Sequence, residues 1–324
     1  MILVKTPFRI SLIGGGTDLP EFYRRHGHGA VVSAAIDKYM YVMIHPYFHD
    51  KLRVKYSQTE DVDDVEQLRH PIVRESLKKM AMTSGLEIAS IADIPAGVGL
   101  GSSSSFTVCL LHALYANRGE YVTKAALAEE ACVIELDRLQ EPIGKQDQYA
   151  AAYGGFNFFQ FNADDSVVRD DLTLQPEVMR RLADRLLLFY IGMPRAARDI
   201  LAEQRQTITE GERYRAACRL VDLARTLAEE VKRGQLDAVG ETLHEGWMLK
   251  KGLGSRITNS EIDSIYDRAR RAGASGGKLL GAGGGGFMLF CCEPDRRDAI
   301  RRELQLRELS IGWDREGSRV IYHE

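Results

Sequence analysis

A central glycine-serine stretch is the strongest chemical signal in the sequence. Residues 95–101 read PAGVGLG, and four serines, Ser102 to Ser105, follow directly. Glycines at every second position leave backbone N–H groups free to line a concave nest, and the helix predicted after them would add the positive end of its dipole. Such a nest suits a phosphate chain, while the hydroxyls could cap the helix or ligate magnesium. No lysine follows the last glycine and the spacing is not G-x-G-x-x-G, so this is not a Walker A or dinucleotide loop.

Two further glycine clusters lie on either side of this stretch. Residues 14–18 read GGGTD after an apolar strand, where Asp18 could accept hydrogen bonds from sugar-like hydroxyls. A tight turn before a helix cap is the alternative for this cluster. Residues 281–286 formally match G-x-G-x-x-G, but Phe287 continues into a strand and no second β-α-β unit fits after it, which disfavours a dinucleotide site. A loop pressed against a ligand or another domain explains this cluster better than a plain hairpin.

The composition narrows the class of protein. The 324 residues correspond to about two domains. A count of 43 Lys+Arg against 46 Asp+Glu gives a net charge of −3, which lacks the basic excess of a general nucleic-acid binder. No apolar run is long enough to span a membrane, and the first residues do not resemble a signal peptide. The five scattered cysteines favour buried reduced thiols over a zinc or disulfide framework. We therefore expect a cytoplasmic protein without nucleic-acid or membrane partners.

Periodicity predicts α+β structure in both halves of the chain. Strands are predicted over residues 2–13, 39–47, 86–94, 156–161, 167–172, 186–191, 276–281, 286–292 and 319–323. Helices are predicted over residues 64–83, 103–117, 123–138, 145–152, 196–233, 235–250 and 259–272. A domain boundary is expected between residues 175 and 185. The central glycine stretch would then join a strand to a buried helix, as a phosphate site requires.

Together the three clusters resemble the GHMP family of small-molecule kinases, which includes galactokinase, homoserine kinase, mevalonate kinase and phosphomevalonate kinase. The motifs are Pro7-Phe8-Arg9, residues 13–18, residues 95–103 and residues 281–286, in the family's order and spacing. The resemblance implies an N-terminal ATP-binding domain like ribosomal protein S5 domain 2, over residues 1–178. It also implies a ferredoxin-like C-terminal domain over residues 179–324, with the active site between the two.

A closer resemblance within this family is to the D-glycero-D-manno-heptose 7-phosphate kinases. Residues 13–18 and residues 141–155, EPIGKQDQYAAAYGG, carry it. Galactokinases have Glu-His where this chain has Gly15-Gly16, which makes galactose an unexpected substrate. L-fucose kinases share the GGGTD turn, whereas the GKQDQ segment favours heptose.

The resemblance assigns nucleotide and metal residues. ATP would be bound by Pro95, Gly97, Gly99, Gly101, Ser102, Ser103 and Ser104. Mg²⁺ would be ligated by Ser103 and by a carboxylate of the preceding helix, for which Glu135 is the first candidate and Glu129 and Glu130 are alternatives.

It also assigns catalytic and substrate residues. Asp147 would accept or orient the proton of the attacking hydroxyl, and Arg9 would stabilise charge beside it. Substrate would be bound by Gly15, Gly16, Thr17, Asp18, Lys145, Gly283 and Gly284. Lys145 is the first candidate for a phosphate on the substrate, and the sequence leaves Arg24, Arg25, Lys38 and Arg195 open.

The implied activity is ATP- and Mg²⁺-dependent phosphorylation of the anomeric hydroxyl of D-glycero-D-manno-heptose 7-phosphate. The 1,7-bisphosphate product would lead toward nucleotide-activated heptose for bacterial surface polysaccharide. Alternatives are a kinase for a free sugar such as L-fucose or mannose, a non-catalytic sugar sensor on the same fold, and a nicotinamide dehydrogenase using the last glycine cluster. A homodimer is possible.

Overall fold

The computed structural model describes residues 1–192 and 197–324. Twelve strands lie in these residues: β1 Ile2–Ile13, β2 His28–Pro46, β3 Leu52–Lys55, β4 Thr59–Val62, β5 Leu86–Ala92, β6 Phe156–Asn162, β7 Val167–Asp171, β8 Leu186–Tyr190, β9 Ala274–Leu279, β10 Phe287–Cys292, β11 Arg307–Glu308 and β12 Arg319–His323. Eleven α-helices lie in the same part of the chain: α1 Pro20–His26, α2 Pro71–Lys79, α3 Ser102–Asn117, α4 Lys124–Cys132, α5 Gln146–Tyr153, α6 Pro176–Arg185, α7 Ala197–Thr207, α8 Gly211–Lys232, α9 Ala238–Lys251, α10 Ser260–Arg271 and α11 Arg297–Leu304. The predicted α+β class is confirmed.

The first sheet has eight strands and carries the N-terminal half of the site. Its order is β12-β1-β2-β5-β3-β4, and β6 and β7 branch from β2. The first strand, ILVKTPFRISLI, is buried along most of its length because α3 and α5 pack against it. Helix α3 is apolar around most of its circumference, from Phe106 to Leu114, as expected of a helix enclosed on all sides.

The second sheet forms the C-terminal half. Its four antiparallel strands follow the order β11-β8-β10-β9, which is 4-1-3-2 counted within the sheet, as in a ferredoxin-like arrangement. Helix α9 packs directly on β9 because Gly240 and Gly276 bring the two backbones together, and a Cβ on either residue would overlap the other element. This close packing fixes the first turn of α9 directly against β9.

The final strand returns to the first sheet. β12 pairs antiparallel with β1, and Trp313 bridges to Ile36 of β2. Within the described residues, the second sheet takes all four of its strands from beyond residue 178, whereas β12, which also lies beyond that residue, joins the first sheet. The domain division at 178/179 stays a prediction.

Several elements differ from the sequence prediction, including the helix predicted over residues 196–233, which is α7 followed by α8. The helix predicted over residues 64–83 is a 3-10 turn, Val65–Gln67, followed by α2, which begins at Pro71. Proline lacks an amide N–H and clashes with the preceding helical turn, so it starts this helix instead of continuing one. Strand β2 begins at His28, whereas the sequence predicted a strand only from residue 39. None of the helices in the described ranges has both the length and the apolarity needed to cross a membrane.

Candidate active site

A cavity of about 880 Å³ lies between the two sheets. Its lining brings together parts of all three glycine clusters, although they are far apart in the sequence. The predicted site residues found there are Arg9, Gly15, Gly16, Asp18, Pro95, Gly97, Gly99, Gly101, Ser102, Ser103, Ser104, Glu135, Asp147 and Gly283. One end of the cavity is apolar and aromatic and includes Tyr56, Ile72, Ile94 and Phe106.

The central glycine loop enters the first turn of α3 along the cavity wall. Gly97, Gly99 and Gly101 have φ angles of 80°, 87° and 77°, a region that L-residues with side chains rarely adopt. The Gly97 N–H donates to Ser102 Oγ at 3.2 Å, which ties the loop to the helix start. Ser103 is exposed to the cavity, whereas Ser102 is buried. The loop and the positive end of the α3 dipole together form a ready site for an anion.

Arg9 and Asp147 form a two-pronged ion pair at the centre of the cavity. Arg9 Nε donates to Asp147 Oδ1 at 2.7 Å, and Nη2 donates to Oδ2 at 2.6 Å. The third guanidinium nitrogen, Nη1, donates to the Gly99 carbonyl oxygen at 2.8 Å, so the pair is joined to the glycine loop. The Arg9 side chain is 5% exposed and that of Asp147 is 23% exposed. Asp147 therefore keeps an open edge toward a bound molecule, while the guanidinium fixes its orientation.

Glu135 provides a buried carboxylate beside Ser103. It lies in a π-helical turn, Val133–Arg138, a distortion often found at functional sites. Glu135 Oε1 accepts from Ser103 Oγ at 2.7 Å, and Oε2 accepts from Gln148 Nε2 at 2.7 Å. Burial raises the pKa of Glu135 to about 7, with a smaller contribution from the negative charge of Asp147, although hydrogen bonds from its neighbours oppose the rise. A carboxylate desolvated in this way is stabilised by a cation.

A bound Mg²⁺ fits this pair. The described residues hold no group of three or more His, Cys, Asp or Glu side chains suited to a metal. The Ser103 hydroxyl and the Glu135 carboxylate are oxygen donors of the kind that Mg²⁺ prefers, so a bound Mg²⁺ would take them as protein ligands and complete its shell with phosphate oxygens or water.

The GGGTD turn forms the other end of the cavity. Asp18 is buried, and its Oδ1 accepts from the Gly16 N–H at 2.9 Å and from Gln146 Nε2 at 3.2 Å. Its Oδ2 accepts from the Gln146 N–H at 3.2 Å. Burial and then the negative charge of Asp147 raise the pKa of Asp18 above its usual value. Because a carboxylate only accepts, it turns the Gln146 amide so that the carbonyl oxygen faces away from Asp18.

Three polar atoms near this turn have no hydrogen-bond partner among the described residues. They are Ser11 Oγ, Gln146 Oε1 and Gln204 Nε2, all buried in side chains that line the cavity. A Cβ on Gly15 would lie 3.5 Å from Gln146 Nε2 and 3.6 Å from Ser11 Oγ, and one on Gly16 would overlap Gln204 Nε2. Buried polar groups are rarely left unpaired, so this cluster fits a ligand rich in hydroxyls.

Ser11, Gln146 and Gln204 were not among the predicted site residues. Ser11 stands two residues after Arg9 on β1, so strand alternation places both side chains on one face and could have indicated it. Gln204 lies on α7 of the C-terminal half, and no local pattern distinguishes it from the other polar residues of that helix.

Three predicted substrate residues do not line the cavity. The Thr17 hydroxyl donates to the carbonyls of Gly14 and Ala30 and accepts from the Ala30 N–H, so it fastens the turn to β2. Gly284 instead donates its N–H to the Ile257 carbonyl oxygen at 3.0 Å. The Thr17 hydroxyl and the Gly284 N–H are therefore already engaged by neighbouring backbone groups.

Lys145 points away from the cavity because Asp165 holds it. Its Nζ donates to the Asp165 carbonyl oxygen at 3.0 Å and lies 3.7 Å from that residue's carboxylate. Of the other cations left open by the sequence, Arg24 also pairs with Asp165, and Lys38 pairs with Asp37. Arg25 lies over the Tyr214 ring. Arg195 lies outside the described residues. The cavity instead receives two lysines that the sequence did not single out, Lys250 and Lys278.

Two family models match this chain. The model of the GHMP kinases N terminal domain matches residues 69–155, and the model of the GHMP kinases C terminal matches residues 227–308. Fold and site therefore define a two-domain, ATP-using small-molecule kinase, and the chain belongs to the GHMP kinase family.

Individual relatives place the chain among sugar kinases of this family. It is 29% identical over 325 residues to the D-glycero-alpha-D-manno-heptose 7-phosphate kinase of Campylobacter jejuni, covering 93% of this chain and 94% of that protein. It is 28% identical over 342 residues to the L-fucokinase/L-fucose-1-P guanylyltransferase of Bacteroides fragilis, covering 92% of this chain but 35% of that longer protein. A D-glycero-D-manno-heptose 1-phosphate kinase from Bacteroides thetaiotaomicron has the same fold, with a TM-score of 0.82, 24% identity and 100% of both chains covered.

Proposed function

We propose that this protein transfers the γ-phosphate of ATP to the anomeric hydroxyl of D-glycero-D-manno-heptose 7-phosphate, giving the 1,7-bisphosphate. The observation that carries the proposal is the cluster of unpartnered polar atoms next to the Arg9–Asp147 pair, since a hydroxyl-rich molecule bound there lies beside a carboxylate. The similarity to the heptose 7-phosphate kinase of Campylobacter jejuni over nearly the whole of both chains supports heptose as the sugar.

In this proposal the sugar and the nucleotide approach Asp147 from opposite ends of the cavity. The apolar end holds the adenine, and the nest formed by residues 97–101 with the start of α3 holds the phosphates. Ser11, Gln146 and Gln204 bind sugar hydroxyls at the other end. In this arrangement the acceptor hydroxyl would lie beside the open edge of Asp147, with its oxygen facing the γ-phosphoryl group.

Asp147 and Arg9 have different roles in the transfer. An Asp147 carboxylate oxygen accepts the hydroxyl proton as the bond from the sugar oxygen to the γ-phosphorus forms and the bond from that phosphorus to the β–γ bridging oxygen breaks, which releases ADP. The two hydrogen bonds from Arg9 hold the carboxylate in this orientation. Positioning and charge stabilisation dominate phosphoryl transfer, so a rigid carboxylate beside preorganised N–H groups is the main contribution of this chain. When bound at Ser103 and Glu135, Mg²⁺ would supply neutralisation of the phosphate charge.

A free-sugar kinase is the second candidate. It is favoured by the position of Lys145, which is held by Asp165 outside the cavity and leaves the phosphate of a heptose 7-phosphate without its expected partner. The similarity to the L-fucokinase/L-fucose-1-P guanylyltransferase of Bacteroides fragilis makes L-fucose the first free sugar to test. D-Mannose should be tested as a second free sugar, and D-glycero-D-manno-heptose 1-phosphate as a second sugar phosphate.

The decisive experiment is an ADP-release assay over a panel of acceptors. The panel contains D-glycero-D-manno-heptose 7-phosphate, the corresponding 1-phosphate, free heptose, D-mannose, L-fucose and D-galactose. We expect the 7-phosphate to give the highest kcat/KM, and phosphorus NMR of the product to show a new phosphate coupled to the anomeric proton. A higher kcat/KM for L-fucose, or a product phosphorylated at another carbon, would reject the substrate assignment.

A cytoplasmic location, a homodimer and the absence of nucleic-acid ligands stay predictions from the sequence. Gel filtration with light scattering tests the homodimer directly.

A further inference from the structure

Two buried lysines of the C-terminal half have no carboxylate partner among the described residues. Lys250, near the end of α9, is 6% exposed, and Lys278, on β9, is 4% exposed. Lys250 Nζ donates to the Gly281 carbonyl oxygen at 2.5 Å and to that of Leu279 at 3.4 Å. Lys278 Nζ donates to the Ser11 carbonyl oxygen at 2.7 Å. By contrast, Lys251, the next residue on α9, pairs with Asp263 at 3.3 Å.

Both lysines line the cavity and connect to the Arg9–Asp147 pair through backbone groups. Gly281, which accepts from Lys250, packs against Gly99 so closely that a Cβ on either glycine would overlap the other loop. The Gly99 carbonyl oxygen in turn accepts from Arg9. Lys278 reaches the strand that carries Arg9, two residues further along. The positive charges of Lys250, Lys278 and Arg9 therefore converge on one side of the cavity.

Burying an ammonium group without an anion is costly, and backbone carbonyls compensate for only part of that cost. An ammonium has three N–H donors, of which Lys250 uses two and Lys278 one. Burial, followed by the charge of Arg9, lowers the pKa of Lys250 to about 8, although the negative charges of Asp18 and Asp147 oppose this decrease, and burial lowers the pKa of Lys278 well below its usual value. A pair that is destabilised in the absence of ligand gains most from an anion with several acceptor oxygens.

We propose that Lys250 and Lys278 together form a phosphate-binding site on the C-terminal wall of the active-site cavity. Other cations lining the cavity are less suited to the role. Arg9 is occupied by Asp147, and Arg198 is exposed beside Glu141 at 3.6 Å. The inference rests on the phosphoryl transfer in the proposed function but not on the identity of the sugar.

The phosphate at this site has two sources, the γ-phosphoryl group of the nucleotide or the phosphate already on the acceptor. Each source predicts a different loss of affinity. If the γ-phosphoryl group binds there, neutralising the lysines weakens an ATP analogue more than ADP. If the acceptor phosphate binds there, the same change weakens heptose 7-phosphate more than free heptose.

The test uses Lys250→Met and Lys278→Met, with Lys251→Met as the matched control on the same helix. Isothermal titration calorimetry measures the binding of AMP-PNP, ADP, heptose 7-phosphate and free heptose to each variant. We expect each cavity variant to lose about 10- to 100-fold in affinity either for AMP-PNP or for heptose 7-phosphate, as for loss of a charge-assisted bond, and less than threefold for the matched probe, which is ADP or free heptose respectively. We expect the control to match the wild-type protein within twofold.

Thermal unfolding of the ligand-free protein gives a second, independent measurement. Methionine removes a buried charge that lacks an anion, so we expect Tm of Lys250→Met to equal or exceed that of the wild type, while a lysine with a purely structural role would lower it. The proposal is overturned if both affinity ratios stay within twofold of wild type, or if the cavity variants lose affinity only together with a lowered Tm. Failure of the wild type to bind heptose 7-phosphate would reject the sugar assignment and leave the nucleotide comparison valid.

Discussion

Replacing Asp147 with asparagine removes one charge from the centre of the site with little change in shape. In the wild-type protein Arg9 donates through Nε to Oδ1 and through Nη2 to Oδ2, so both carboxylate oxygens accept. An asparagine offers one oxygen and one NH₂ group to the same two donors, so one bond is lost and a donor faces a donor. Arg9 keeps its bond to the Gly99 carbonyl oxygen but loses its counter-charge.

The size of the effect follows from the burial of the two partners. Removing one member of a fully buried pair costs roughly 3–5 kcal/mol. Asp147 is 23% exposed, so water replaces part of the lost interaction and we expect about 2–3 kcal/mol. For a protein of this size that corresponds to a lowering of Tm by about 5 °C. Loss of the proton acceptor lowers kcat by about 10²- to 10⁴-fold.

Glu245→Gln is the matched control. Glu245 accepts from Arg219 Nε at 2.7 Å and from Nη2 at 3.3 Å, and these side chains are 44% and 50% exposed. The chemical change is the same, but an exposed pair is worth less than about 1 kcal/mol, and we expect unchanged kcat. Steady-state kinetics, calorimetry with an ATP analogue and thermal unfolding measure the three quantities. A kcat for Asp147→Asn above one tenth of wild type, with nucleotide binding intact, would refute the role of this carboxylate.

Three further predictions concern other parts of the molecule. Gln204→Leu should raise the acceptor KM about 10- to 100-fold without changing nucleotide affinity, because one buried donor to the sugar is lost. Steady-state kinetics at varied acceptor concentration measure the KM, and calorimetry measures the nucleotide affinity. Gly99→Ala should lower the free energy of unfolding by at least about 3 kcal/mol and weaken ATP binding, since its Cβ would lie 2.5 Å from the Leu280 carbonyl oxygen. The control Gly119→Ala, with φ of 68° and open space around it, should lower the free energy of unfolding by about 1 kcal/mol. Denaturant unfolding measures both changes. Burial lowers the pKa of His112 to about 4, so the unfolded chain takes up this proton first as the pH falls. Stability should therefore decrease by about 2–3 kcal/mol from pH 6.5 to 4, and a His112→Asn variant should show a flatter profile of Tm against pH.

The glycine loops and the residues beside them were predictable because their chemistry is local. A run of alternating glycines before a helix indicates an anion nest wherever it occurs, and the structure places this run on the cavity wall with φ values that need glycine. Asp147 and Glu135 were assigned from the family resemblance, and both line the cavity. The antiparallel C-terminal sheet was likewise expected from the family resemblance.

The parts that could not be predicted depend on contacts between distant segments. Lys145 lies next to the catalytic motif in sequence, yet Asp165, on the turn after β6, holds it outside the cavity. Lys278 reads as an ordinary polar residue of a glycine-rich strand, and only the packing of β9 on α9 brings it to Ser11. The pairing of β12 with β1 also escaped prediction, because five residues of strand pattern do not indicate which sheet they join.

The contact between the central glycine loop, residues 95–101, and the last glycine cluster, residues 281–286, affects how the protein folds during its synthesis. Gly99 and Gly281 touch backbone to backbone, although roughly 180 residues separate them, and contacts of such separation slow folding because a long loop must close first. β1 also gains its outer partner only when β12 arrives. A nascent chain that has emerged only as far as residue 178 therefore carries the phosphate-loop sequence without the wall that shapes it. Nucleotide binding should appear during synthesis only after both β9 and β12 have left the ribosome.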